Sequence, residues 1–243
     1  MDPTRFAAEL HRPEARTDIP IQDDTRNRRR SDGESAVQDV LGHVLQVLDT
    51  LHIAKDRAYG DAWRRRGEVL GIFANIARKA DRLEIAMQSG DPATVESMAD
   101  TAADLAVYAA KYLTWLAEVY PRDFQSVAPS PPADECSARR GPAGVRTVFR
   151  FLPSWERPEK SPAPESVSDA GQRVLRVFTG LEVGLMAQAE HPPTVPMPAA
   201  VKTATAWALL DASARLLVRI AQLHPTQLEG LTRTLSRENE QAS

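Results

Sequence analysis

A single stretch, Lys55 to Trp115, limits what this chain can become: two amphipathic helices joined by a turn of only Gly90, Asp91 and Pro92. Phe73, Ile76, Ala80, Leu83 and Met87 recur at steps of three and four, which predicts a helix over residues 68–88. Gly90 suits the left-handed position that ends such a helix. Asp91 is an N-cap residue, and Pro92 fits the first helical position, where its missing N–H costs nothing. The second helix is expected to reach about Tyr120, where Pro121 stops it, on the stripe Met98, Ala102, Leu105, Ala109, Tyr112 and Leu116. So short a connection forces the two helices to be antiparallel neighbours. Ala99, Ala103, Ala106 and Ala110 flank the stripe, so a further helix is expected to approach closely there.

Glu96, Asp100 and Asp104 stand at i, i+4 and i+8 and form one row along the second helix. Three carboxylates in a row repel one another unless cations neutralise them. Mg²⁺ is such a cation, a hard ion that takes carboxylate, phosphate and water oxygens. Lys79 and Arg82 on the facing helix would then meet the phosphates of a nucleotide, Lys55 would reach another phosphate, and Tyr59 or Trp63 would stack on the base. A catalytic site of this kind performs metal-assisted hydrolysis of a phosphoanhydride. Glu96, Asp100 and Asp104 would hold the Mg²⁺ that activates water, and the basic groups would stabilise developing charge. A plainer reading stands beside this one. The row lies nearly opposite the apolar stripe, where a solvated face is normal; the basic residues are then surface charges and the aromatics pack a helix end.

These residues carry a resemblance. Lys55, Tyr59-Gly60, Trp63 and Gly67, then Lys79 with Arg82-Leu83, then Glu96-Ser97, Asp100-Thr101, Asp104-Leu105 and Tyr108-Ala109 resemble, in order, the nucleotide modification associated domain 1 of phage and bacterial proteins. That domain is similar to the all-α nucleoside triphosphate pyrophosphohydrolases of the MazG and dimeric dUTPase type. The resemblance covers about a quarter of the chain. It implies a helical bundle, nucleotide binding and, for the pyrophosphohydrolase relatives, Mg²⁺-dependent release of pyrophosphate. The sequence also departs from the MazG pattern of E-x-x-E on one helix and E-x-x-D on its neighbour. Here the first helix offers Asp81-x-x-Glu84 and the second Asp100-x-x-x-Asp104.

Residues 1–34 are polar, carry Pro3, Pro13 and Pro20, and end near Arg28-Arg29-Arg30, the composition of a disordered tail. Val37, Val40, Leu41, Val44, Val47, Leu48 and Leu51 predict a helix over residues 35–58. Residues 122–163 are rich in Pro and are expected to be a largely extended or disordered linker. Within it the apolar island Val145, Val148, Phe149, Phe151 and Leu152 is expected to dock as a short extended segment or to bind a partner. Helices follow over residues 165–189, 198–223 and 226–237, the second hairpin being assigned to residues 164–237 and residues 238–243 to a polar tail.

That hairpin echoes the first. Residues 69–78 align with 174–183 at an offset of 105, and Thr101-Ala102 with Thr205-Ala206 at an offset of 104. Glu96, Asp100 and Asp104 then fall opposite Ala200, Ala204 and Ala208, Lys79 opposite Gly184, and Arg82 opposite Ala187. Such a copy would keep the apolar stripe, lose the site and imitate the second subunit of a dimer.

The expectation is therefore an all-α bundle of two antiparallel hairpins plus an N-terminal helix, with residues 35–121 forming the nucleotide-binding part. Two functions remain: a Mg²⁺-dependent nucleoside triphosphate pyrophosphohydrolase or nucleotide binder, and a non-catalytic helical interaction protein with a vestigial site. The net charge of −3 argues against a dedicated nucleic-acid surface. No apolar run has the length of a membrane span, and Cys136 is the only cysteine, so a cytoplasmic location is expected, with homo-oligomers open.

Overall fold

Amphipathic periodicity becomes helix throughout, and no strand occurs among the described residues. The computed structural model describes residues 24–89, 93–127, 130–154, 166–190 and 196–230, with only the backbone described for residues 24–38, 93–97 and 187–190. The chain divides into the units Met1–Ser35 and Ala36–Ser243, and all side-chain packing below belongs to the second. Helix α1 (Asp24–Tyr59) starts earlier than its stripe predicts. The expected disordered tail is thus corrected over residues 24–34: no proline falls between Pro20 and Pro92, and arginine supports helix. Residues 1–23 lie outside the described part, as does the Gly90-Asp91-Pro92 turn.

The first hairpin is α2 (Ala74–Ser89) and α3 (Ala93–Val119); the second is α7 (Val167–Glu190) and α8 (Ala199–Leu223). The predicted first helix is interrupted at its start, where Glu68–Phe73 forms a π-helical turn. Within each hairpin the helices pack on one another, and between hairpins α3 packs on α8 and α2 on α7. The alanine flank does what its small residues allow: Ala99, Ala103, Ala106 and Ala110 are all buried. Phe73 and Phe178 stack at 6.0 Å between centroids, with 9° between ring planes. These two are partners in the 105-residue offset. A two-fold operator brings equivalent residues near its axis into contact with each other, so this pair supports the pseudo-dimer reading of the repeat.

The expected linker is helical and packed where it is described, a second correction. Helices α4 (Pro121–Ser126), α5 (Ala133–Cys136) and α6 (Pro142–Phe151) take up most of its described part. Pro121 and Pro142 sit at the starts of α4 and α6, where proline is preorganised for helix rather than a breaker. The apolar island does dock, but as α6 rather than as an extended segment: Val145, Val148, Phe149 and Leu152 are buried. Phe124 and Phe151 close on the fully buried Trp207, 6.4 and 6.2 Å between ring centroids. Residues 225–230 are helical, and the expected continuation to Arg237 lies outside the described residues.

Candidate functional site

The end of α1 and the start of the first hairpin build one cleft. Gly60 takes a positive φ of 51°, which an L side chain rarely tolerates, and ends α1. A tight 3₁₀ turn, Gly60–Arg64, follows and carries Trp63. Arg64 ties that turn down, reaching Asp61 at 2.9 Å and Glu118 of α3 at 2.8 Å. The π-helical turn comes against it so closely that a Cβ on Gly71 would lie 3.0 Å from the Trp63 carbonyl oxygen. On its other side Glu68 accepts from Tyr112 Oη at 2.5 Å and from Lys202 Nζ at 2.9 and 2.7 Å, which pins the turn to α3 and α8. Burial, with the Glu68 carboxylate beside it, pushes the Tyr112 hydroxyl well above the usual tyrosine range.

The cleft so formed has a volume of about 420 Å³, within the range of small-molecule sites. Lys55 and Tyr59 come from α1, Lys79 from α2, and Asp104, Tyr108 and Lys111 from α3. Lys55 and Lys79 each donate to one oxygen of the Asp104 carboxylate, 49 and 25 residues away in sequence. Burial alone would raise the Asp104 carboxyl; the two ammonium groups outweigh it and hold the group below the usual carboxylate range. Tyr59 is 72% exposed at the rim. Deeper in, the Lys111 ammonium lies 5.4 Å from the Trp63 ring centroid and 5.8 Å from that of Tyr108. Burial pushes Lys111 below the usual lysine range against the pull of Asp56, Asp61 and Asp104.

Four of the sequence-predicted residues, Lys55, Tyr59, Lys79 and Asp104, therefore meet in one place, and Trp63 with them. Two others do not line it: Arg82 is on the exposed face of α2, and Asp100 is exposed on α3. Glu96 is in α3, with its side chain outside the described part. Asp81 and Glu84 are exposed. Asn75, Arg78 and Lys111 line the cleft without having been singled out. Lys111 had a signal available, since it lies seven residues after Asp104, two turns along α3 on nearly the same face.

The donor set is a poor match to a Mg²⁺ cage. Both Asp104 oxygens accept from lysines, Asp100 is exposed and does not line the cleft, and no group of three His, Cys, Asp or Glu able to hold a metal occurs among the described residues. The arrangement offers cations and aromatic faces to an anion, with one carboxylate organising two of the cations.

Comparison with known proteins adds a distant likeness. No family model matches the chain. No solved structure matches it. The chain is similar to the Gene 30 protein of Bacillus phage SP01, 29% identical over 105 residues, which amounts to 34% of this chain and 47% of that protein. The chain thus spans about half the length of this curated relative.

Proposed function

We propose that the cleft binds a nucleotide through its phosphates. The observation that carries this reading is the convergence of Lys55, Lys79, Arg78 and Lys111 with Tyr59, Trp63 and Tyr108 around a single carboxylate. Cations in a part-buried site are neutralised best by a phosphate, and exposed ring faces are what a base stacks on. The resemblance to the nucleotide modification associated domain and to the all-α pyrophosphohydrolases points the same way. The reading commits to binding. The ion-paired state of Asp104 favours a binder over a hydrolase that would use Glu96, Asp100 and Asp104 as a Mg²⁺ ligand set, and no catalytic step is assigned to the described residues.

The test is calorimetric titration of nucleosides and nucleoside mono-, di- and triphosphates, with and without Mg²⁺. Saturable binding that requires the phosphates is expected, with a loss of roughly tenfold or more in Lys79→Met, as for a charge-assisted hydrogen bond. Absence of heat with every nucleotide, from folded protein, would leave the helical interaction protein as the better account. A pyrophosphate-release assay with Mg²⁺ separates turnover from binding.

A further inference from the structure

The cations of the cleft are not equivalent. Lys55 and Lys79 are engaged by Asp104, and Arg78 donates to Asn75 Oδ1 at 3.0 Å. Lys111 is 5% exposed, lines the same cleft, and among the described residues no acceptor reaches its ammonium. Asp56, Asp61 and Asp104 act on it from a distance, and its close contacts among the described residues are with the π faces of Trp63 and Tyr108. A buried ammonium without a hydrogen-bonded anion is costly, and aromatic faces recover only part of that cost.

The internal repeat supplies a control within the same molecule. At the offset of 104, Lys111 corresponds to Arg215 and Val107 to Asp211. In the second copy the cation is neutralised on its own helix, Arg215 Nε donating to Asp211 Oδ1 at 2.7 Å. In the first copy the carboxylate position is Val107, which lines the cleft, and the cation is left to face it.

We propose that Lys111 is the anion anchor of the cleft: a terminal phosphate of the nucleotide seats on its ammonium, between Trp63 and Tyr108, with the base at the rim on Tyr59. This rests on the nucleotide-binding reading and adds the direction of entry, phosphates first. The inner aromatic faces are occupied by the Lys111 cation, so the ring open to stacking is Tyr59. The Asp104 carboxylate keeps Lys55 and Lys79 extended along the path of the remaining phosphates.

The experiment uses the full chain, with inorganic pyrophosphate, ATP and dTTP as probes, read by calorimetry. Lys111→Met keeps the stem and removes the charge, so its thermal midpoint should equal or exceed the parent's. It is expected to lose about 10- to 100-fold in affinity for all three probes, the range for a charge-assisted hydrogen bond in a part-buried site. Tyr59→Ala is expected to weaken ATP and dTTP and to leave pyrophosphate unchanged. If Lys111→Met binds within about threefold of the parent while Lys79→Met is weakened, the anchor assignment falls and the nucleotide reading stands. Equal weakening of pyrophosphate and nucleotides by Tyr59→Ala would overturn the orientation. A parent protein that binds none of the three probes would remove both the anchor and the reading beneath it.

Discussion

His52 illustrates how much a single buried side chain can impose. It lies on α1 with 1% exposure, and neither ring nitrogen meets a hydrogen-bond partner among the described residues. Burial, with Lys111 and Arg146 nearby, pushes its pKa from 6.5 down to about 3. The folded state therefore holds the neutral ring, while the unfolded chain takes up a proton below pH 6.5. The stability contribution is complete above that pH and is lost as pH falls from 6.5 toward about 3, by roughly 1.4 kcal/mol per pH unit. His52→Leu should remove this slope. Urea denaturation at pH 7.5 and pH 5 should show the variant losing about 2 kcal/mol less than the parent. At the same scale the site was half legible. Lys55, Tyr59, Lys79 and Asp104 belong to a motif with recognisable chemistry, whereas Lys111 stands within an otherwise apolar run of α3 and reads as an ordinary lysine until its neighbours are known.

Elements rather than residues decide how the cleft is held. The π-helical turn Glu68–Phe73 departs from regular helix, a departure often found beside functional sites. Here it has an identifiable support, since Glu68 meets Tyr112 of α3 and the buried Lys202 of α8. Lys202 also lies 5.9 Å from the Tyr120 ring centroid. Glu68→Ala would leave Lys202 as a buried charge without its partner and should cost about 3–5 kcal/mol. Adding Lys202→Met should restore most of that loss, because the penalty belongs to the orphaned charge rather than to a missing attraction. Chemical denaturation of the two single variants and the double variant measures it. Apolar period could not foresee the turn: the stripe that begins at Phe73 is equally compatible with regular helix from residue 68, and the support for the turn lies 134 residues away from Glu68 in Lys202.

For the molecule as a whole, the two hairpins are joined by α3 packing on α8 and α2 on α7. Phe73 and Phe178 form the visible contact of that arrangement, both nearly buried at 4% and 7% exposure. Each Phe→Ala substitution should cost about 3–5 kcal/mol through the cavity it leaves. The double variant should cost less than the sum, by about 0.5–1.5 kcal/mol for the stacked pair. Strict additivity in a thermal or urea double-mutant cycle would mean that the stack adds nothing beyond burial. The second hairpin differs at the position aligned with Lys79. Gly184, opposite Lys79, leaves room for Met197, so that a Cβ there would run into that side chain.

The all-α class and the two hairpins were determined by the sequence itself, because apolar spacing at three and four is local. The proline-rich stretch misled for a related reason. Its composition matches a linker, but Phe124 and Phe151 pack into the structure through Trp207, which no local pattern places beside them. Which charged residues share the cleft was decided by tertiary structure alone. Each residue turns the helix by about 100°, so Lys79 and Arg82 need not face the same groove. Asp100 and Asp104 are separated by about 6 Å along α3, which is enough to put one at two lysines and the other at the exposed surface. Charge carries no period that a sequence must keep, and its partners are set by the rotation and register at which helices pack.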